Sequence, residues 1–301
     1  MDQKNPHIFI IVLNWNRPDD TIACIDSLQQ LHYQHVQIVV ADNGSTDDSV
    51  QRIRAYSDQV AIVENEENLG FAGGNNQGIK YALQQGADYI MLLNNDTVVA
   101  PDMVDHLLQA FHSDSNLGLV GPSIYYMDQP EDLWFTGMNF PFNIYFIGRH
   151  LLVYAKEAEK KIDVGFISGC CMLIKTSVIE KVGMLNEDYF MYYEDLDFCL
   201  QVQYGGFTLA YISAAKMWHK VSASSGGKSS PMKQYYQVKS SIFFFRQHVK
   251  GIRLVISIAL RLGHASITVL RETIAGRVTF ETLKKYFRGV SEALLNRPAN
   301  G

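Results

Sequence analysis

Apolar and polar positions alternate in blocks through the first third of the chain. Residues 7–13 (His-Ile-Phe-Ile-Ile-Val-Leu) form a continuous apolar run, the pattern of a strand buried on both sides in a parallel sheet. Pro18 then opens a helix whose apolar residues Ile22, Ile25, Leu28 and Leu31 recur at three-residue steps, and residues 36–41 resume a strand that stops at Asp42-Asn43-Gly44-Ser45. That is one βαβ unit. A helix over about 47–56, a strand at 60–63, a helix over about 71–85 and a strand at 89–93 continue the alternation. The pattern predicts an α/β fold: a doubly wound, Rossmann-like, mostly parallel sheet flanked by helices. Further on, residues 164–175 read as a small-residue turn running into a buried strand, and residues 194–204 as a helix. From Gly251 the period is helical, with Ile252, Val255, Ile258, Ala259 and Leu262 on one face.

At 301 residues and 47% hydrophobic content, the chain can bury the core of one large domain, or of a domain with an appendage. The net charge of −5 hides an asymmetry: residues 246–297 hold ten Lys/Arg against three acids, so this segment carries +7 and the remainder −12. The four cysteines (Cys24, Cys170, Cys171, Cys199) have no C-x-x-C spacing, which argues against zinc and a disulfide framework and for a reducing cytoplasm. No charged segment followed by an apolar one opens the chain, so export is not expected. A membrane span needs about 20 largely apolar residues; the longest C-terminal run without an ionisable side chain, residues 254–260, is far shorter. A basic helix with an apolar stripe fits one lying on an anionic membrane surface, at the inner face of the plasma membrane. Helices packed on the preceding domain, or across a homodimer interface, fit the pattern equally. Nucleic acid is disfavoured because the rest of the chain is acidic.

In doubly wound sheets ligands sit beyond the carboxyl ends of the strands, where this chain places Asn14-Trp15-Asn16, Asp42-Asn43-Gly44-Ser45 and Asn94-Asn95-Asp96. Each could be ordinary turn or capping chemistry; their joint placement points to one crevice. The first strand-to-helix turn lacks G-x-G-x-x-G, and no G-x-x-x-x-G-K-[ST] occurs, which argues against dinucleotide and Walker-type sites. Residues 67–78, with four glycines and three asparagines opening a helix, permit close backbone approach to a ligand. The lone carboxylate of Asp96 at a strand end is placed to hold a divalent metal. Together these features suggest a nucleotide-sugar site.

The ordered set Val12-Leu13-Asn14-Trp15-Asn16, Val40-Ala41-Asp42-Asn43-Gly44-Ser45-Thr46-Asp47, Asn68-Leu69-Gly70-Phe71-Ala72-Gly73-Gly74-Asn75, Leu92-Leu93-Asn94-Asn95-Asp96 and Tyr193-Glu194-Asp195-Leu196-Asp197 resembles family 2 glycosyltransferases of the GT-A fold, especially rhamnosyltransferase-like members. The resemblance covers roughly residues 7–248. It implies that Asn14 and Asn16 lie against base and ribose, with Ser45 in the same loop pair, and that Asp42 accepts from N3-H of a uracil or thymine. It implies that Asn68, Gly70, Phe71, Gly74 and Asn75 line the ribose and diphosphate side, with Asn95 and Gly169 also against the donor. Asp96 takes the place of the last carboxylate of the family's D-x-D metal motif, while Asn94 stands where the first would be. Asn94 supplies no charge, so Mg²⁺ or Mn²⁺ is expected to bind only with the donor's diphosphate. His219 sits where some members supply a further metal ligand, although a histidine satisfied at a strand end reads as well.

An acceptor hydroxyl is a poor nucleophile, so inverting transfer needs a carboxylate base beside it. Asp195 matches the family's base; Glu194 could orient the acceptor or the base, and Asp197 suits a helix first turn. Trp134, Phe135, Phe140, Phe142, Tyr145 and Phe146 suit sugar rings, but hairpin packing is the plainer reading. The Ser/Gly stretch with Ser222, Ser224, Ser225, Gly226 and Gly227 reads as a lid. The cysteines are assigned no chemistry. The expectation is a GT-A catalytic domain over 1–248, with a donor half over about 1–122 and an acceptor half over 123–248, followed by a basic helical extension over 249–301. The resemblance implies transfer of a sugar, rhamnose first, from deoxythymidine- or uridine-diphosphate sugar to a saccharide or lipid-linked saccharide. The competing readings are a non-catalytic donor-binding or scaffold protein and a sugar nucleotidyltransferase.

Overall fold

The computed structural model describes residues 5–139, 152–153, 161–221, 230–274 and 279–295. Phe140, Phe142, Tyr145 and Phe146 of the aromatic stretch, and the lid residues Ser222, Ser224, Ser225, Gly226 and Gly227, lie outside them.

The alternation predicted for the first third is present as β1 (Ile8–Asn14), α1 (Pro18–Leu28), β2 (Val36–Asp42), α2 (Ser49–Tyr56), β3 (Ala61–Glu64), α3 (Gly70–Gln84) and β4 (Tyr89–Asn94). The four strands are parallel, with β1 between β2 and β4. In register, Asn14 pairs with Asp42 on one side, and Leu13 with Asn94 on the other. The strand order reverses at β1, and a crevice opens beyond the carboxyl ends at such a point. Leu31, expected on α1, falls past its end yet remains buried.

The chain continues through β5 (Thr97–Val99), α4 (Met103–His112), β6 (Leu117–Tyr126), β7 (Leu133–Phe135), β8 (Gly137–Met138), β9 (Leu152–Val153), β10 (Lys161–Val164), β11 (Cys171–Lys175), α5 (Thr176–Val182), α6 (Glu194–Tyr204) and β12 (Thr208–His219). The sheet order is β10-β12-β6-β11-β4-β1-β2-β3, with β5 on β12 and β7 on β6. β11 is antiparallel to both β4 and β6, so it stitches the parallel half to the second half. Ile8, Ile10, Ile11, Val12 and Leu92 are fully buried, as their two-sided apolar pattern requires. Gly78 lets α3 close on the sheet: a Cβ there would lie 2.5 Å from Ile11 Cγ2.

Three helices follow: α7 (Pro231–His248), α8 (Ile252–Ile274) and α9 (Phe280–Leu294). Phe243, Phe244 and Phe245 of α7 join the main core, while its Val238 and Ile242 form a second small core with Ala265 of α8 and Tyr286 and Ala293 of α9. The basic extension is thus built on a helix shared with the main core. The apolar stripe foreseen on α8 is split: Ile258 and Leu262 pack inward, whereas Ile252 and Val255 are exposed. Among the described residues no helix is long and apolar enough to cross a membrane.

Candidate active site

The carboxyl ends of β1 and β2 are locked by one buried network. Asn14 donates through Nδ2 to Asp42 Oδ2 (2.7 Å) and to Ser45 Oγ (3.2 Å), and its Oδ1 accepts from Thr21 Oγ1 (2.7 Å). Asp42 also accepts from the Ser45 hydroxyl (2.7 Å) and N–H (2.9 Å), so its carboxylate shapes its own turn. Asn16, at φ +53°, accepts the Thr46 N–H at 2.8 Å and donates its own N–H to Ser45 Oγ at 2.9 Å. Asn14, Asn16, Asp42 and Ser45 are therefore brought together as the sequence implied. Asn95 is buried behind them, its amide 2.9 Å from Thr21 Oγ1, which makes it a support for Asn14.

Asn43 organises the second loop and was not singled out from the sequence. Its Nδ2 donates to Asn68 Oδ1 and to the Gly70 carbonyl (both 2.9 Å), and its Oδ1 accepts from Asn65 Nδ2 (3.2 Å) and the Leu69 N–H (3.1 Å). All this leaves Gly70 at φ +74°, where a Cβ would lie 2.3 Å from the Phe190 carbonyl oxygen. Gly74 and Asn75 are buried: a Cβ on Gly74 would strike Leu13 Cδ1 at 2.5 Å, and Asn75 donates to the Phe71 carbonyl at 2.9 Å. These contacts give both residues packing work in α3 close to β1. The only hint in the sequence of Asn43's part was its place in the Asp-Asn-Gly-Ser turn.

Phe71 leads to the candidate base. A Cβ on Gly169 would lie 3.1 Å from Asp195 Cβ and 3.2 Å from the Phe71 ring, so glycine is what admits the three groups together. The Gly169 N–H donates to Asp195 Oδ2 at 3.0 Å, and the Leu196 N–H to Oδ1 at 2.8 Å. Asp195 and Glu194 stand in the first turn of α6, entered through Tyr192 (φ +69°) and Tyr193 (φ +74°). Two successive non-glycine residues in the left-handed region cost about 1–3 kcal/mol each, strain of the kind found at functional sites. Burial pushes the Asp195 carboxyl up, partly opposed by the Gly169 and Leu196 N–H groups. Burial, then the charge of Asp195, holds Glu194 well above the usual carboxylate range, and its buried Oε2 has no hydrogen-bond partner. Asp197 has a structural role instead, meeting His248 Nε2 at 2.5 Å and the Tyr189 hydroxyl at 3.3 Å.

The turn carrying Gly169 is tied to the end of β4, because the Asn94 N–H donates to the Cys170 carbonyl at 3.0 Å. Two residues on, Asp96 meets His219. The antiparallel pairing of β5 with β12 sets Thr97 opposite His219, and Asp96 Oδ1 lies 3.0 Å from His219 Nε2. The contact lacks the alignment of a hydrogen bond, which leaves Asp96 Oδ1 buried without a hydrogen-bond partner, and His219 Nδ1, the other ring nitrogen, is likewise buried without one. That is an uncommon cost unless a ligand satisfies them. Among the described residues no cluster of three or more His, Cys, Asp or Glu could hold a metal alone. One carboxylate and one imidazole fit a cation whose remaining ligands come from a bound diphosphate. Trp134 packs edge-on against His219, centroids 4.8 Å apart, a neighbour whose role the sequence did not single out. All four cysteines are free and buried, and burial pushes the Cys24 thiol up to about 12, consistent with inert core residues.

A parallel sheet with this crevice, joined to a mixed second half, is the GT-A architecture. It matches the solved mannosyltransferase PcManGT of Pyrobaculum calidifontis, in complex with GDP-Man and Mn²⁺, at TM-score 0.61 and 16% identity, over 97% of this chain and 81% of that one. Residues 9–183 match the model of glycosyl transferase family 2, and the chain belongs to that family. It is similar to the low-salt glycan biosynthesis hexosyltransferase Agl10 of Haloferax volcanii, 29% identical over 64% of this chain and 61% of that protein. The chain thus spans less than two thirds of that relative's length. It is also similar to the dTDP-rhamnosyl transferase RfbF of Shigella flexneri, 22% identical over 88% of this chain and 89% of the relative. A third relative, the N-acetylglucosaminyl-diphospho-decaprenol L-rhamnosyltransferase of Mycobacterium tuberculosis, is 25% identical over 71% of this chain and 76% of its own length.

Proposed function

We propose that the protein transfers rhamnose, with inversion, from deoxythymidine-diphosphate rhamnose to a hydroxyl of a saccharide or lipid-linked saccharide; uridine-diphosphate sugars are the second choice of donor. The observation that carries the reading is the Asp195 carboxylate, set by the Gly169 N–H on a turn hydrogen-bonded to the strand end that precedes Asp96. The resemblance to relatives named for dTDP-rhamnose and for a decaprenyl-diphosphate acceptor supports the choice of donor and acceptor. Asn14, Asn16, Asp42 and Ser45 form the base and ribose end, and Asn68, Gly70 and Phe71 the sugar and phosphate side, with Asn95, Gly74 and Asn75 holding those loops. Asp195 takes the proton from the acceptor hydroxyl as its oxygen bonds to the anomeric carbon, and the bond from that carbon to the diphosphate breaks on the opposite face. Burial raises Glu194, beside it, well above the usual carboxylate range, which favours Asp195 as the charged member of the pair. Asp96 and His219 would hold Mg²⁺ or Mn²⁺, which supplies charge stabilisation for the departing diphosphate.

Base catalysis of this kind is worth about 10²- to 10⁴-fold, so Asp195→Asn is expected to lose that factor in kcat while donor affinity holds. Calorimetric titration with deoxythymidine, uridine, guanosine and adenosine diphosphates, with and without Mn²⁺, tests the donor half. Pyrimidine-selective binding that needs metal and disappears in Asp96→Ala is the expected result. Absence of nucleotide binding overturns the reading; binding with no transfer or donor hydrolysis, unchanged by Asp195→Asn, makes the protein a non-catalytic donor binder.

A further inference from the structure

The outer faces of α8 and α9 carry no described partner. Along α8, Ile252, Ile256, Ala259, Leu260, Gly263, Ile267 and Ile274 recur at helical spacing and are all exposed, on the side away from the buried Ser257 and Ala265. Along α9, Phe280, Phe287 and Leu294 recur every seventh residue and point away from the second core, Phe280 being 82% and Phe287 65% exposed. A soluble surface does not ordinarily present rows of isoleucine and phenylalanine on two helices that share one small core. Exposed cations border both rows: Lys250, Arg253 and Arg271 about α8, and Lys284, on the same face as the phenylalanines, about α9.

We propose that these exposed rows bind the headgroup region of an anionic lipid bilayer, with the apolar side chains inserted and the cations at the phosphates. Charge decides between the occupants such a face could have. A second copy of the chain would set the exposed cations Lys250, Arg253, Arg271 and Lys284 against the same cations of its partner, because a two-fold interface is self-complementary. That repulsion disfavours a homodimer here and favours an anionic surface. The helices are amphipathic and do not span, which is the geometry of an interfacial anchor. Docked through α7, whose His248 meets Asp197 beside the candidate base, the anchor would hold the crevice at the surface where a lipid-linked acceptor resides. That last consequence rests on the proposed function; the binding itself does not.

The test is flotation of the full chain with vesicles of phosphatidylcholine alone and of phosphatidylcholine mixed with phosphatidylglycerol, at low and high salt. Two variants accompany the wild type: Ile256→Ser with Phe287→Ser, and Arg253→Glu with Lys284→Glu. All four positions are exposed, so the fold should persist, which thermal melting verifies. The expected result is binding to the anionic vesicles that salt weakens, that falls on the order of tenfold or more without the apolar pair, and about fivefold or more for each reversed charge. Equal binding to both vesicle types, or either variant binding as the wild type does, overturns the proposal. So does a dimer in sedimentation velocity that the apolar variant dissociates, which would assign the face to a second copy. Flotation reads neither donor binding nor turnover, so loss of the transferase reading would leave this result standing.

Discussion

At Glu194 a carboxyl group sits in a place that penalises its charge. It is buried, Oε2 has no hydrogen-bond partner, and Asp195 adjoins it. A carboxyl whose folded pKa is raised is bound to its proton more tightly in the native state, so stability falls as pH climbs from the ordinary Glu value toward the raised one. Glu194→Gln should therefore be the more stable protein at neutral pH by about 1–3 kcal/mol, with the gap closing below the ordinary Glu value; melting curves across pH measure it. The same argument at Asp195, raised by burial, predicts that turnover is lost with acidification at a pH above the usual carboxylate range. At Gly70 the constraint is steric. Its positive φ and the nearby Phe190 carbonyl leave no room for Cβ, so Gly70→Ala is expected to cost about 2–4 kcal/mol and to weaken donor binding, read by denaturant titration and calorimetry.

Among the elements, α7 joins two cores, and its hold on α9 is polar as well as apolar. Lys239, fully buried, meets Glu292 Oε2 at 3.1 Å and the Tyr235 hydroxyl at 2.9 Å, while Arg288 meets Glu292 Oε1 at 2.6 Å. Burial alone would raise the Glu292 carboxyl, but hydrogen bonds from Tyr235, Arg288 and Lys239 outweigh it and hold it at about 2. Its contribution is complete above the ordinary Glu value and is lost as pH falls toward about 2. Lys239→Met should cost about 2–3 kcal/mol at neutral pH and progressively less in acid, which unfolding at several pH values will show. Arg246 adds a cap, its guanidinium reaching the Ala293 carbonyl at 2.5 Å and the Leu294 carbonyl at 2.8 Å.

For the whole molecule, the shared helix means that the extension is not a detachable appendage. A chain ended after His248 would expose Val238 and Ile242 and strip Lys239 of Glu292, so it is expected to melt lower and to self-associate on size exclusion. The alternation of strands and helices through β4, and the polar signals at the strand ends, were legible in the sequence because each depends on neighbours a few residues apart: two-sided apolar runs make buried strands, and Asp-Asn-Gly-Ser stops one. The pairing of candidate base with glycine turn, and of Asp96 with His219, was foreseen only as separate motifs, since the partners stand 26 and 123 positions apart and meet only once β11 and β12 take their places in the sheet. Local pattern likewise could not show that Asn43 holds the glycine-rich loop, that Asn95 turns inward, or which side of the α8 stripe packs. Those were decided by tertiary structure, because an amphipathic period tells which residues share a face, whereas the packing of α7, α8 and α9 on one another determines which face is covered.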